Sequence, residues 1–217
     1  MQQCGCNITA APLIAKDKVI VGVTGGDSAH RGYLNAFDVK TGRRAWRFWT
    51  VPTPSEPGGD TWGKDAAWQR GGGSTWVTGT YDPELNLIYW GTGNPGPEAG
   101  GMGINRPGDN LFSNSTIALD VDSGKLVWHY QVVPNDTHDR DNVQMRMLYD
   151  LTINGAPRKL LGQFTRGGFY YTWDRISGQF LYAEPFTHVN WTKGLDGKTG
   201  KPVEYDETQK VQMYGDL

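Results

Sequence analysis

The chain has 217 residues, with 21 Lys and Arg against 23 Asp and Glu, a net charge of −2. No basic excess exists to neutralise a phosphate backbone, so nucleic acid is excluded as a partner class, and no polybasic run points to an anionic membrane surface. Thirty glycines, about twice ordinary usage, and 26 aromatic residues exclude disorder for most of the chain and point to a turn-rich β protein.

In chain order, Met1-Gln-Gln-Cys4-Gly-Cys6 has neither the charged nor the apolar region of a secretory leader, and residues 1–6 are expected to form a disordered terminus. Cys4 and Cys6 could bind a metal or oxidise, but a frayed end is the expected outcome. No Cys-x-x-Cys-His is present, so these residues carry no c-type haem attachment site. The longest apolar runs, such as 18–24, are strand-sized and give no membrane span.

A repeat follows. Ala36-Phe-Asp38-Val-Lys-Thr-Gly42-Arg-Arg-Ala-Trp46 reads A-x-D-x-x-T-G-x-x-x-W, and Ala118 to Trp128 repeats it nearly residue for residue. Thr172 to Tyr182 repeats it with Tyr in the last place, and Thr80 to Trp90 is a degenerate copy with Asn86 at the glycine position. Asp196-Gly-Lys-Thr-Gly200 is a last, weaker copy. Each copy predicts a hairpin: the Asp bonds turn N–H groups, Gly or Asn takes a left-handed conformation, and a strand returns to the aromatic. The anchors Asp38, Asp82, Asp120 and Asp174 lie 44, 38 and 54 residues apart, the period of a β-propeller blade. An all-β fold of four to five blade units in a single domain is expected. Eight blades need on the order of 360 residues, so a piece of a longer ring is expected. The Asp anchors are read as turn-formers.

One acidic stretch stands apart, Pro134-Asn-Asp136-Thr-His138-Asp139-Arg140-Asp141. In extended backbone Asp139 and Asp141 share a face. Two carboxylates held together there suit a hard cation such as calcium; a solvated acidic loop is the competing reading.

Taken together, these segments resemble the quinoprotein alcohol dehydrogenases, which use pyrroloquinoline quinone (PQQ). The repeat is similar to that family's tryptophan-docking motif, which implies part of an eight-bladed β-propeller. Gly71-Gly-Gly-Ser-Thr-Trp76 resembles the segment whose Trp underlies the quinone ring, and Gly91-Thr-Gly-Asn94-Pro the turn whose Asn binds the metal. Gly25-Gly26-Asp27-Ser-Ala-His-Arg31-Gly-Tyr resembles Gly-Ala-Glu-x-x-x-Arg-Gly-Tyr, with Asp27 as the ligand, one methylene shorter than the usual Glu. Thr9, Thr24, Gly25 and Gly26 align with cofactor contacts. Asp139 matches the catalytic base, with His138 in place of the usual Trp. Arg166 in Thr165-Arg-Gly167 matches the basic residue beside the quinone oxygens. Asp141 matches the extra carboxylate of the lanthanide-dependent branch, which implies a lanthanide ion with calcium as the alternative. The metal ligands implied are thus Asp27, Asn94, Asp139 and Asp141.

The resemblance implies oxidation of a primary alcohol to the aldehyde by hydride transfer to metal-bound PQQ, in the periplasm, with a separate cytochrome c as acceptor. A polyol or sugar substrate is a variant of this reading. The competing readings are a non-enzymatic PQQ-like propeller scaffold of the cell envelope and a sugar-stacking propeller lectin.

Overall fold

The described residues form fourteen short strands, each paired antiparallel with its neighbour, as expected of a sequence that breaks its apolar runs with turns rich in Asp, Asn and Gly. The computed structural model describes residues 6–28, 30–64, 66–96 and 106–205. Strands β1 (Leu13–Ala15), β2 (Lys18–Gly22), β3 (Tyr33–Asp38) and β4 (Arg44–Trp49) form one four-stranded meander. Strands β5 (Thr80–Asp82), β6 (Leu87–Gly91), β7 (Ser115–Asp120) and β8 (Leu126–Gln131) form the second. The third comprises β9 (Met147–Ile153), β10 (Ala156–Phe164), β11 (Phe169–Asp174) and β12 (Phe180–Pro185). A hairpin of β13 (Gly194–Leu195) and β14 (Pro202–Val203) follows. Among the described residues there are thus three four-stranded blades and one two-stranded sheet.

The anchor spacing therefore needs correcting. Asp82 caps the β5–β6 turn of the sheet whose β7–β8 turn holds Asp120, so it marks no blade of its own. The equivalent anchors are Asp38, Asp120 and Asp174, 82 and 54 residues apart. The longer step contains the connections 50–79 and 92–114, which the sequence pattern had concealed as ordinary blade length.

The turn chemistry is as expected. Asp38, Asp120, Asp174 and Asp196 each accept the backbone N–H and the hydroxyl of the Ser or Thr three residues on, at 2.6–3.0 Å. Gly42, Gly124, Gly178 and Gly200 follow with φ between 66° and 75°. Asp82 does more than cap: its Oδ2 accepts Arg175 Nε at 2.6 Å, a buried ion pair joining the second blade to the third.

Aromatic docking ties each blade to the next. Trp46 Nε1 donates to the Val121 carbonyl at 2.9 Å, and its ring lies on Gly124, where a Cβ would meet the indole at 2.4 Å. Trp128 Nε1 donates to the Arg175 carbonyl at 3.1 Å and covers Gly178 in the same way. Tyr182 does not take this role. It is exposed, and the ring over Gly200 is that of Phe180, two residues earlier on the edge strand.

The two apolar cores lie between blades. Ile20, Leu34 and Trp46 pack with Ile88, Trp90 and Ile117 in the first, and Tyr89, Trp128 and Tyr130 pack with Leu161, Tyr171 and Trp173 in the second. Every residue of β6 is buried because its alternating sides serve both cores. Cys6 is disulfide-bonded, so oxidation is its state; the rest of the expected disordered terminus lies outside the described residues. No helix among the described residues is long and apolar enough to cross a membrane.

Candidate functional site

Strand parity places the site. With three antiparallel turns in each blade, every docking turn falls at one end and every β2–β3, β4–β5, β6–β7, β8–β9 and β10–β11 connection at the other. Each candidate site residue after Thr9 lies on one of those five connections. Backbone bonds stitch them together: Thr75 N donates to the Val23 carbonyl, Gly93 N to that of Ser74 and Asn142 N to that of Thr92, at 2.7–3.1 Å.

Asp141 is the hub. It is 5% exposed; its Oδ1 accepts the Asn94 backbone N–H at 2.7 Å and its Oδ2 accepts Trp76 Nε1 at 3.0 Å. Gly93 allows this approach, because a Cβ there would lie 2.5 Å from Asp141 Oδ1. Arg166 Nη1 lies 3.1 Å from Asp139 Oδ2 and 3.7 Å from Asp141 Oδ2, so one guanidinium faces both carboxylates. Burial pushes Asp141 up to about 6, against the Asn94 hydrogen bond and reinforced by the charge of Asp139. Burial also raises Asp139, with the Arg166 charge and hydrogen bond opposing it.

Asp27 stands in a short 3-10 turn, Gly26–Ser28, entered through Gly25 at φ 94°, and accepts Asn94 Nδ2 at 3.2 Å. The Asn94 amide thus joins Asp27 to the Asp141 side of the site. Thr9 and Thr24 flank it: the Thr9 hydroxyl donates to the Trp76 carbonyl at 3.4 Å, and Thr24 Oγ1 accepts the Asn7 N–H at 3.2 Å. Trp76 is 38% exposed, with its indole N–H already satisfied by Asp141.

Asp139 and Asp141 do converge, but not by strand alternation. Asp139 has φ 54°, a left-handed conformation rather than an extended one, and Arg140 turns away to Asp136 and the Trp191 ring. Sequence reasoning also missed the buried polar groups behind the site. Asp136 is bonded to Asn114 and Arg140, and Arg146 donates to the Asn142 and Gln144 carbonyls. Asn114 reaches Asp136 from another connection, and the remaining bonds close within the irregular stretch between β8 and β9, which has no repeating pattern to announce them.

Whether this set fits a cation can be judged from its donors. Three carboxylates and one amide, with one guanidinium opposing them, are the hard oxygen ligands that calcium-like ions take. Among the described residues no three His, Cys, Asp or Glu side chains close into one metal-holding group; Asn94 and Arg166 stand between the carboxylates. The donor chemistry fits a hard cation, and the exposed indole beside it fits a planar ring.

A profile of the PQQ family, the β-propeller domain of glucose, ethanol and alcohol dehydrogenases, matches residues 2–192. Quinohemoprotein alcohol dehydrogenase ADH IIB of Pseudomonas putida is 44% identical over 208 residues, 91% of this chain and 30% of that protein. The solved structure of ADHIIG from Pseudomonas putida HK5 superposes with a TM-score of 0.87 at 42% identity, covering 95% of this chain and 32% of that one. A europium-containing methanol dehydrogenase superposes at 0.86 and 38% identity, covering 92% of this chain and 37% of that one. The chain spans about a third of the length of these relatives.

Proposed function

The chain belongs to the PQQ family of glucose, ethanol and alcohol dehydrogenase β-propellers, and from that premise we propose that it is the site-bearing part of an enzyme oxidising a primary alcohol to the aldehyde. The observation that carries this reading is the Asp139–Arg166–Asp141 group, bonded directly to the Trp76 indole and the Asn94 turn. A scaffold propeller needs no buried carboxylate raised to about 6 beside an exposed Trp, and the relatives above are dehydrogenases by name.

Trp76 is the platform for PQQ, with Thr9, Thr24, Gly25 and Gly26 at its rim. Asp27, Asn94, Asp139 and Asp141 hold the cation. Asp141 adds a carboxylate that a trivalent ion favours, so a lanthanide is the proposed ion; the europium-containing relative supports this. When bound, PQQ and its cation supply the two-electron acceptor for the alcohol. Asp139 takes the hydroxyl proton, for which its raised affinity suits it. Arg166, fixed by both carboxylates, faces the negative charge that develops beside it.

The proposed acceptor is a separate cytochrome c; a relative 38% identical over 221 residues, the lupanine 17-hydroxylase of a Pseudomonas species, carries cytochrome c in its name. The proposed compartment is the periplasm, where a disulfide at Cys6 persists. Titrating PQQ into the protein with lanthanum, calcium or chelator, while following tryptophan fluorescence, tests the reading. The expected result is metal-dependent quenching weakened at least tenfold in Trp76→Ala, with lanthanum preferred. Quenching that is absent with every ion overturns it, and a preference for calcium overturns the choice of ion.

A further inference from the structure

The Asp136 side chain has no contact with solvent, yet it sits three residues before Asp139 and organises the turn that presents it. Its Oδ1 accepts the His138 backbone N–H at 3.0 Å and Arg140 Nη1 at 3.1 Å. Its Oδ2 accepts the Arg140 backbone N–H at 2.5 Å and Asn114 Nδ2 at 2.8 Å. Four donors fill the acceptor capacity of one carboxylate, and two of them are the peptide N–H groups on either side of Asp139.

Asp139 needs such a brace. At φ 54° it pays about 1–3 kcal/mol for a conformation that persists only where the surroundings over-determine it. Asn114 links the brace to the rest of the site, because its own N–H donates to the Gly93 carbonyl at 2.9 Å. The Asp139 turn is thereby set at a fixed position relative to Asn94. We propose that Asp136 is a positioning residue: it holds Asp139 in the left-handed conformation that aims its carboxylate at Arg166. The proposal rests on the reading of Asp139 as the base. With its side chain buried and all four acceptor sites taken by protein donors, Asp136 has none left for a substrate or cofactor, and Arg140 balances its charge.

Asp136→Asn keeps the volume but puts an NH2 group opposite a donor. In the full-length, PQQ- and metal-loaded enzyme we expect kcat to fall at least tenfold, with alcohol KM and the PQQ dissociation constant within twofold of wild type. In the metal-free protein, hydrogen exchange at the His138 and Arg140 amides should accelerate at least tenfold, while that at Ile117 and Trp173 in the cores is unchanged. Unchanged kcat, unchanged exchange at 138 and 140, or protection lost throughout the chain would each overturn the proposal. Should Asp136→Asn not fold, Asn114→Ala removes one of the four donors, and about a threefold fall in kcat at constant KM is expected; no fall overturns it. Asp139→Asn separates the two ideas: full activity there overturns the base reading, while the exchange result decides the brace by itself.

Discussion

Asp141 offers a measurement in which the sign of the pH effect is opposite to ordinary acid unfolding. Its side chain is 7% exposed, and burial outweighs the hydrogen bonds from Asn94 and Trp76, moving it from 3.8 to about 6. At 1.36 kcal/mol per pH unit the full displacement corresponds to about 3 kcal/mol. A carboxyl raised in the folded state binds its proton more tightly there than in the unfolded chain, so stability grows as pH falls from 7 through 6 toward 4. Most of that amount, about 2 kcal/mol, is expressed over this interval. Urea unfolding of the metal-free protein in chelator, wild type against Asp141→Asn, isolates the group, since other carboxylates cancel in the difference. Wild type should gain about 2 kcal/mol on the variant between pH 7 and pH 4. Lanthanum must displace the same proton, so its affinity should drop about tenfold per pH unit below 6. A wild-type-minus-variant difference that stays flat with pH would refute the reasoning, because burial would then not govern this carboxyl.

Three other outcomes follow from the geometry. Gly93→Ala places a methyl where a Cβ meets Asp141 Oδ1 at 2.5 Å, and calorimetric titration should show lanthanum binding at least tenfold weaker with the fold retained by circular dichroism. Trp128→Ala removes the 3.1 Å bond to the Arg175 carbonyl and the ring over Gly178; the cost should be about 3–5 kcal/mol in urea unfolding, and a loss under 1 kcal/mol would contradict the docking role. Asp82→Ala takes away the buried partner of Arg175 Nε, 2.6 Å from it, and leaves that guanidinium with Asp150 and the Tyr149 carbonyl. It should destabilise by about 1.5–3 kcal/mol, whereas exposed Lys16→Ala, which loses the Asp122 pair, should change stability by under 1 kcal/mol in the same assay.

What could be read from the sequence was whatever is decided within five residues. The Asp38–Gly42 and Asp120–Gly124 turns are self-contained: the carboxylate, the hydroxyl and the left-handed glycine all lie in one motif. The same locality misleads at Asp82, whose turn looks alike but opens a sheet instead of closing one. Only the pairing of Leu87–Gly91 with Thr116–Asp120, across a connection of more than twenty residues, distinguishes the two. At the site, Asp139 and Asp141 were identified as a pair although the backbone between them is not extended, because the face they share is set by Arg166 and the Asp136 turn. Phe180 displaces Tyr182 over Gly200 for a related reason: which ring of an edge strand covers a glycine depends on where the next hairpin lies.

The docking contacts also have a direction in time. Trp46 waits for the Val121 carbonyl 75 residues downstream, and Trp128 for Arg175, 47 residues downstream. On the ribosome, each blade can pair its own four strands before the residues that bury its indole exist. Every newly made blade therefore carries an open aromatic edge until its successor emerges, and the growing end is the adhesive one. Synthesis at about 5–20 residues per second leaves the Trp46 edge bare for several seconds. The same indole that later locks two blades together is, during that interval, the surface most open to a wrong partner or a chaperone.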